Sequence, residues 1–394
     1  MNLLHIAPYT APAFAFGGVP RAVDGLTRAL AHQGHTVTVL TTDAGTPTAR
    51  VAAPRDEMRQ GVRIVRVPNL SVWARGRLNL SSPIGIRGAL RDLLPGITCV
   101  HLHELRTVEN LLTVPIVTWE GVPIVLSPHG TLDLTTGRPA LKKLWDRAFP
   151  VTAWSVQTVV ALTDAERDEA RAAWVRFGGE PPRFRVIPNG VDLEAFAHLP
   201  DPAPFRARWG LDDAPVCLFM GRLHPRKGVG VLAQAFLRMT AEHGSDARLL
   251  VVGGDEGALA GLRALASADR RIVITGYLDG ADRLGALACA DLFALPAVGE
   301  GQPMAALEAM ACGIPAILSP GCNLPAAAQA GAALIVEPQI APLADALHVL
   351  LSDRVRRADM GARARELVAS QFTWDKIATI YSALYARYVR VEQE

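Results

Sequence analysis

The sequence predicts an α/β protein with two Rossmann-like, doubly wound domains that face a central cleft. A chain of 394 residues is longer than one hydrophobic core usually supports. In each half, short apolar runs alternate with helical stretches, as in a parallel sheet with crossover helices. We place the linker between the segment 184–192 and a segment rich in proline and polar residues, 198–205. We therefore expect an N-terminal domain over residues 1–195, a C-terminal domain over 205–370 and a terminal helix over 371–394.

The N-terminal half contains seven apolar runs that we interpret as strands. They span residues 3–8, 35–42, 61–68, 97–103, 123–130, 158–163 and the start of 184–192. Helical stretches are expected at 21–32, 85–94, 106–117 and 139–149.

The C-terminal half repeats this alternation. Its predicted strands are 216–220, 248–252, 272–275, 292–295, 315–319 and 333–336, and helices follow most of them. Ligands of such a domain are expected at the carboxyl ends of its strands. The tail, 373–391, predicts an amphipathic helix whose apolar positions are Trp374, Ile377, Ile380, Tyr381, Leu384 and Tyr388.

Composition excludes several classes of protein. A net charge of +2 gives no general electrostatic reason to expect nucleic acid. The five cysteines are widely spaced without a CxxC pair, which is typical of reduced residues in a cytosolic protein and implies no zinc site. The N-terminal residues lack the pattern of a signal peptide, and no apolar run is long enough for a membrane span.

The segment EGQPMAALEAM, 300–310, places two carboxylates eight positions apart across a strand-to-helix junction. Glu300 is expected in the loop and Glu308 inside the helix, with Pro303 in the first helical turn. The intervening N–H groups of 301–305 form a helix start that favours an anion. Two carboxylates that can accept hydrogen bonds from hydroxyl groups, with an anion-binding helix start between them, suit a sugar nucleotide. The alternative is that Glu308 is a solvated helix residue and Glu300 an ordinary loop charge.

A second segment, GRLHPRKG at 221–228, connects the first strand of the C-terminal half to its first helix. Arg222 and Lys227 supply a planar fork and a compact ammonium, which together suit a diphosphate. The alternative is a solvated basic helix start, although positive charge there opposes the helix dipole. No D-x-D triplet occurs in the sequence, so a carboxylate-held metal on the diphosphate has no obvious site.

Two features of the N-terminal half are candidates for ligand contact. Gly17 and Gly18 lie between a strand and a helix, where backbone can approach a phosphate or a sugar. The full GxGxxG fingerprint is absent, which disfavours a nicotinamide dehydrogenase. His129 follows a predicted strand and is expected to reach the cleft, where it could bind a sugar hydroxyl. The alternative is a turn histidine with a structural partner.

Taken together, these motifs resemble the family 4 retaining glycosyltransferases, which have the GT-B fold. The matching segments are GG at 17–18, PHG at 128–130, PNGVD at 188–192, GR…RKG at 221–228 and EGQPMAALEAMACGIP at 300–315. They occur in family order along nearly the whole chain. One departure is the run Ala326 to Ala328, where many members carry an acidic residue.

The resemblance implies a nucleotide diphosphate sugar as donor, a C-terminal domain that binds it and an N-terminal domain that binds the acceptor. It implies that the terminal helix packs back on the N-terminal domain. His129 and Glu300 are the expected catalytic residues, beside the anomeric carbon and on the transferred sugar respectively. The expected donor-binding residues are Gly17, Gly18, Arg222, Lys227, Gly301, Gln302, Pro303, Met304 and Glu308. Neither a metal nor a cofactor is expected.

The stretch 127–145 resembles members that assemble bacterial exopolysaccharide or lipopolysaccharide on glycan or lipid-linked acceptors. We therefore expect a cytoplasmic enzyme, with peripheral association at the inner face of the membrane left open. A basic surface is predicted from Arg75, Arg77, Arg87, Arg91, Lys142, Lys143 and Arg147, with Trp73 nearby. The alternative is a set of solvated charges on separate helices. Rival functions are a sugar-nucleotide epimerase or hydrolase and a non-catalytic sugar-nucleotide-binding protein.

Overall fold

A computed structural model describes residues 1–71, 73–75, 80–134 and 138–389 of the chain. The chain forms two compact units. Unit 1 contains residues 1–190 and the terminal segment from Trp374, and unit 2 contains Val191–Thr373. The chain passes from unit 1 to unit 2 between Gly190 and Val191. This position lies inside the PNGVD motif and before the predicted linker.

Unit 1 is built on an eight-stranded sheet with the order β3-β4-β2-β1-β5-β6-β7-β8. Its strands are β1 Asn2–Ile6, β2 Thr36–Thr42, β3 Asp56–Arg59, β4 Val62–Val67, β5 Cys99–His103, β6 Ile124–Ser127, β7 Thr158–Ala161 and β8 Arg183–Val186. All pairs are parallel except β3 with β4. The seven parallel strands correspond to the seven predicted runs. Strand β3 was not predicted, because its sequence DEMR lacks an apolar run and it lies at an edge of the sheet.

Helices cover the sheet of unit 1. They are α1 Gly18–His32, α2 Ile86–Leu93, α3 Val108–Trp119, α4 Pro139–Ala148, α5 Val151–Trp154, α6 Asp164–Phe177 and the terminal helix α15 Trp374–Val389. Helix α6 was missing from the predicted elements because charged residues dominate its sequence. Thr163 caps its first turn by accepting a hydrogen bond from the Glu166 N–H, as the N-cap position favours.

Unit 2 is built on a six-stranded parallel sheet with the order β11-β10-β9-β12-β13-β14. Its strands are β9 Val216–Met220, β10 Arg248–Val252, β11 Ile272–Gly276, β12 Leu292–Leu295, β13 Ala316–Leu318 and β14 Ala333–Ile335. Its helices are α7 Ala203–Trp209, α8 Val229–His243, α9 Leu259–Ala268, α10 Gly280–Ala288, α11 Met304–Ala311, α12 Pro325–Gln329, α13 Ile340–Ser352 and α14 Arg354–Gln371. Strands β9, β10 and β12 have the predicted bounds, because they are apolar runs that are buried almost throughout.

Helix α15 belongs to unit 1 through specific contacts. The Tyr385 hydroxyl lies 2.6 Å from His101 Nδ1, and the Tyr388 hydroxyl lies 2.7 Å from Thr158 Oγ1. Trp374 packs closely on Gly25: a Cβ added to Gly25 would lie 2.0 Å from the indole nitrogen of Trp374. Ile380 was predicted on the apolar face, but it is 47% exposed. The face that packs on unit 1 is formed instead by Trp374, Ile377, Ala378, Tyr381, Leu384 and Tyr385.

The predicted basic surface requires a correction at Arg75, which is buried. Its guanidinium carbon lies 4.5 Å from the centre of the Tyr9 ring and 5.3 Å from that of Phe16, so the side chain packs on aromatic faces instead of facing solvent. Arg77 lies outside the described residues. All five cysteines are free. Among the residues that the structure describes, no helix has both the length and the apolar character needed to cross a membrane.

Candidate active site

The loop between β9 and α8 carries Lys227, and close packing fixes its position. A short 3₁₀ turn, Pro225–Lys227, leads to Gly228, which adopts a left-handed φ of 70° and precedes α8. A Cβ on Gly228 would lie 2.1 Å from the Pro296 carbonyl oxygen. Glycine is therefore required for this loop to approach the end of β12. This contact holds Lys227, the residue before Gly228, beside the loop that follows β12.

The loop between β12 and α11 carries Glu300, which pairs with Lys227. The distance from Lys227 Nζ to Glu300 Oε2 is 2.6 Å. The backbone of Glu300 is also held, since its N–H donates to the Gly321 carbonyl at 2.8 Å and its carbonyl accepts from Asn323 Nδ2 at 2.6 Å. An ammonium and a carboxylate from two loops therefore meet at the carboxyl ends of neighbouring strands.

The helix start after Glu300 differs by one position from its prediction. Pro303 is the N-cap of α11, with φ −76° and ψ 110°, and Met304 is the first helical residue. The missing N–H of Pro303 led to its prediction in the first helical turn. Its extended backbone angles place it instead at the N-cap, one position earlier. Gly301 and the buried Gln302 lie in the loop before this cap. The first helical N–H groups therefore belong to Met304 and Ala305.

Glu308 lies on the buried face of α11 and forms an ion pair with Arg283 on α10. The two residues are 5% and 8% exposed. Glu308 is therefore not a solvated helix residue. The sequence analysis did not single out Arg283, and the available signal was an arginine within the otherwise apolar stretch RLGALA of α10. Such a pair neutralises two charges that would be costly to bury separately.

Arg222 is also paired, with Glu256 in the loop after β10. Arg222 Nη1 lies 3.0 Å and 2.9 Å from the two carboxylate oxygens. The loops are joined by backbone, because the Leu223 N–H donates to the Gly254 carbonyl at 2.8 Å. Close contact continues at Gly253, where a Cβ would lie 1.7 Å from the Gly221 carbonyl oxygen. Glu256 was absent from the predicted site.

A cavity of about 520 Å³ opens beside this loop, at the carboxyl ends of β10 and β11. Its lining combines backbone of glycines 253, 254 and 276 with polar side chains of Asp255, Arg263, Thr275 and Tyr277. The volume of this cavity lies within the range of small-molecule sites.

In unit 1, His129 follows β6 and has a left-handed φ of 53°. Positive φ is uncommon outside glycine and is concentrated at functional sites when the surroundings hold it. Glu166 provides such support: its carboxylate accepts hydrogen bonds from the Gly130 N–H and, at 2.6 Å, from the Leu162 N–H. Burial raises the pKa of Glu166 to about 7. Glu166 was also absent from the predicted site.

His129 is half-buried and contacts a buried histidine. Its Nε2 lies 3.0 Å from His103 Nδ1. Burial lowers the pKa of His129 to about 4, so the imidazole is neutral at physiological pH. A neutral imidazole has one hydrogen-bond donor and one acceptor.

The remaining predicted residues, Gly17 and Gly18, lie at the N-terminus of α1. Gly17 is the N-cap with φ 103°, and Gly18 is the first helical residue. The structure thus brings Lys227 and Glu300 into contact in unit 2. Arg222 and Glu308 are each paired with a residue that was not predicted. His129, Gly17 and Gly18 all belong to unit 1.

Two family models match consecutive parts of the chain. A model described as Glycosyltransferase Family 4 matches residues 16–195, and one described as Glycosyl transferases group 1 matches residues 214–353. A GDP-mannose-dependent monoacylated alpha-(1-6)-phosphatidylinositol monomannoside mannosyltransferase of Corynebacterium glutamicum is 34% identical over 208 residues, 50% of this chain and 54% of that protein. The chain therefore spans about half the length of this relative. A GDP-mannose-dependent alpha-(1-6)-phosphatidylinositol dimannoside mannosyltransferase of Mycobacterium tuberculosis is 28% identical over 96% of this chain and 94% of its own.

Solved structures share the fold along the whole chain. Sucrose-phosphate synthase from Thermosynechococcus elongatus has a TM-score of 0.76 and 22% identity, covering 99% of both chains. HepE of Anabaena, in complex with UDP and glucose, has a TM-score of 0.74 and 17% identity, covering 98% of this chain and 100% of its own. The predicted GT-B fold class is confirmed. With one model on each half of the chain, the protein belongs to the group 1, family 4 glycosyltransferases.

Proposed function

We propose that this protein transfers a sugar from a nucleotide diphosphate sugar to an acceptor hydroxyl, with retention of anomeric configuration and without a metal ion. The contact between Lys227 and Glu300 is the observation that carries the proposal. It sets a cation for a phosphate beside a carboxylate for a sugar hydroxyl at the carboxyl end of a parallel sheet. The start of α11 follows directly and adds N–H groups that favour an anion.

The diphosphate is assigned to Lys227 and Arg222. Each now faces a carboxylate, Glu300 or Glu256, and an incoming diphosphate competes with that carboxylate for the cation. Charge-assisted hydrogen bonds from an ammonium and a guanidinium offset the negative charge that a divalent cation would otherwise neutralise.

The ribose is assigned to Glu308 and the base to the cavity beside Gly253. Arg283 bonds Glu308 through Oε2, which leaves Oε1 as the oxygen that we assign to ribose hydroxyls. The cavity of about 520 Å³ has room for a nucleobase, with Arg263, Asp255 and Thr275 as its polar lining. These assignments require no residue outside unit 2.

The transfer step then needs little from the protein beyond position and charge. The bond from the anomeric carbon to the phosphate oxygen breaks, and the bond to the acceptor oxygen forms on the same face of the sugar. The acceptor proton goes to the departing phosphate oxygen, so no separate protein base is used. Glu300 and His129 are assigned to the sugar, the first as an acceptor for its hydroxyls and the second as a neutral hydrogen-bonding group.

We further propose a hexose donor such as GDP-mannose and a glycolipid or surface-polysaccharide acceptor. Both relatives described above are GDP-mannose-dependent enzymes that act on phosphatidylinositol mannosides, which supports this choice. An acceptor held in a membrane requires access to the membrane surface. Helix α4 offers such a surface because none of its described residues is buried.

The exposed residues of α4 combine apolar and basic character. Leu141 and Leu144 are 54% and 63% exposed, and the exposed Lys143 and Arg147 lie on the same helix. Each basic residue near an anionic bilayer contributes about 1 kcal/mol to binding. We therefore propose peripheral binding at the inner face of the membrane, with the protein in the cytoplasm.

A donor screen tests the proposal. GDP-mannose, GDP, UDP-glucose, UDP and ADP-glucose are titrated into the full chain by calorimetry, with and without EDTA. Selective binding that EDTA leaves unchanged supports the donor site, and product analysis with an added glycolipid acceptor determines the anomeric configuration. Donor turnover without an acceptor would instead indicate an epimerase or a hydrolase. Binding that is lost with EDTA would contradict the metal-free site.

A further inference from the structure

Three histidines of unit 1 form a continuous hydrogen-bonded chain that ends at His129. His129 Nε2 lies 3.0 Å from His103 Nδ1, and His103 Nε2 lies 3.0 Å from His5 Nδ1. The ring centroids are 5.3 Å apart in both pairs, and the planes of the neighbouring rings differ by only 17° and 20°. Strand pairing creates the chain, because β1 lies beside β5 and β5 beside β6.

The inner end of the chain is distinctive. His5 and His103 are almost fully buried, at 0% and 1% exposure. Both ring nitrogens of His103 are used within the chain. The second ring nitrogen of His5, Nε2, faces away from His103; it is buried and has no hydrogen-bond partner among the described residues. The chain therefore terminates inside unit 1.

Burial keeps the three imidazoles neutral, since it lowers the pKa of His5 to about 3 and that of His103 well below its usual value. In a chain of neutral imidazoles each ring donates once and accepts once, so all protons take the same direction. With the protons pointing inwards, His5 Nε2 would carry an unpaired buried N–H. With the protons pointing outwards, His5 Nε2 is an unpaired acceptor. Orphaned buried N–H groups are rarer than under-satisfied acceptors, which favours the outward direction.

We propose that His103, which is paired with His5, is a positioning residue that fixes the tautomer of His129. In the outward direction His5 Nδ1–H donates to His103 Nε2, and His103 Nδ1–H donates to His129 Nε2. The proton of His129 is then on Nδ1, and His129 presents a hydrogen-bond donor at that nitrogen. If His129 contacts the transferred sugar, as the proposed function requires, it does so as a donor to a sugar or phosphate oxygen. Only this last step rests on the proposed function.

A metal ion is the alternative explanation for clustered histidines. His5, His101 and His103 have ring nitrogens that lie within 4.8 Å of one another. However, His101 already contacts the Tyr385 hydroxyl at 2.6 Å and Ser127 Oγ at 2.9 Å. His103 also uses both of its nitrogens, so His5 Nε2 is the one nitrogen of this group left for a metal. The contacts thus favour the hydrogen-bonded chain.

The test measures tautomers directly. The full chain is labelled with ¹⁵N-histidine, and long-range nitrogen–proton correlation spectra report which nitrogen of each ring carries the proton. His129 is assigned by its missing signals in His129→Asn. We expect His129 to be protonated on Nδ1 in the parent protein. Protonation on Nε2 in the parent protein would overturn the proposal without any variant.

Variants of His103 test the cause. His103→Leu removes the donor to His129 Nε2 and should leave His129 as a mixture of tautomers. His103→Asn places an amide N–H near the position of Nδ1 and should restore the single tautomer. His101→Phe is the matched control, because His101 is equally buried yet hydrogen-bonds outside the chain, and it should retain the parent tautomer of His129. An unchanged His129 tautomer in His103→Leu would contradict the role of His103.

Two further readouts separate the explanations. His103→Leu should lower kcat by about two- to tenfold, the size of one neutral hydrogen bond, with little change in donor KM. His103→Asn should recover most of this loss. Tight binding of one equivalent of Zn²⁺ that abolishes the His103 N–H signal would indicate a metal site and overturn the chain. If no sugar transfer is found but the tautomers respond as expected, the chain is correct and the proposed function is wrong.

Discussion

Lys227 Nζ lies 2.6 Å from Glu300 Oε2, so an ammonium and a carboxylate from two separate loops neutralise each other. A diphosphate must compete with Glu300 for the ammonium. Substitutions of the two residues should therefore have opposite effects on nucleotide affinity, although the proposed function requires both residues for transfer.

Lys227→Ala should weaken nucleoside diphosphate binding by roughly 1.5–3 kcal/mol, the value of a hydrogen bond to a charged group. Glu300→Ala should leave that binding unchanged or tighter, because it removes a competing carboxylate, and should lower kcat. Isothermal titration with GDP and UDP and initial rates measure the two effects. Arg238→Ala is the control, since it removes an exposed positive charge from the same unit. Equal losses of affinity in Lys227→Ala and Arg238→Ala would reject a specific diphosphate contact.

Glu256→Gln should strengthen nucleoside diphosphate binding severalfold, because it removes the negative charge beside Arg222. Arg222→Gln should weaken the same binding. Glu242→Gln removes an exposed carboxylate from α8 and should have little effect, which makes it the matched control. The proposed role of Arg222 fails if Arg222→Gln binds GDP and UDP as tightly as the parent protein.

Removal of one partner from the buried Arg283 and Glu308 pair should destabilise unit 2 by about 3–5 kcal/mol, because the other charge is left buried and unpaired. Arg283→Met combined with Glu308→Leu should recover much of this loss. Urea denaturation of the two single variants and the double variant measures the coupling. The double variant should still bind nucleotide poorly if Glu308 contacts the ribose, and parent-like affinity would exclude that contact.

Gly228→Ala should destabilise the protein and weaken nucleotide binding. The new Cβ would lie 2.1 Å from the Pro296 carbonyl oxygen at a φ of 70°, so the loop that carries Lys227 must shift. The control is Gly230→Ala, two residues later in α8, where a Cβ meets nothing within 4 Å. That variant should be stabilised by about 0.4–1 kcal/mol. Thermal melts measure the stability of both variants. Similar melting temperatures would show that the loop tolerates a side chain at residue 228.

Acidification should destabilise unit 1 through its neutral buried histidines. The pKa is lowered to about 3 for His5 and about 4 for His129, against about 6.5 in the unfolded chain. Between these values the unfolded state binds more protons, so stability is full above pH 6.5 and falls as the pH decreases towards 4. At pH 5.5 each of these histidines should lower the stability by on the order of 1 kcal/mol relative to pH 7.5.

Denaturation curves at pH 7.5 and pH 5.5 measure this loss. His5→Phe should lose less stability than the parent protein on acidification, by roughly one histidine's share. Glu166 acts in the opposite direction: its pKa is raised to about 7, so its contribution to stability falls as the pH rises from 4.5 to 7. Comparing parent and variant cancels this opposing effect. An identical loss in both proteins would contradict the assigned protonation of His5.

The strands of unit 2 could be predicted closely because a buried parallel strand is a short apolar run, as in 216–220 and 292–295. The edge strand DEMR has no such run, so sequence alone could not identify it. Lys227 and Glu300 were predicted from motifs on loops. Their contact, and the partners Glu256 and Arg283, depend on distances between residues far apart in sequence. The histidine chain likewise requires strand pairing that no local pattern specifies.

The return of the chain to unit 1 at Trp374 has a consequence for the order of synthesis. The ribosome completes the eight-stranded sheet long before it translates Tyr385, the partner of His101. Unit 2, by contrast, is contiguous in sequence and has all of its residues before the last helix appears. Although its sheet is translated before unit 2, unit 1 should therefore reach its final stability later, because it needs α15 to emerge from the exit tunnel.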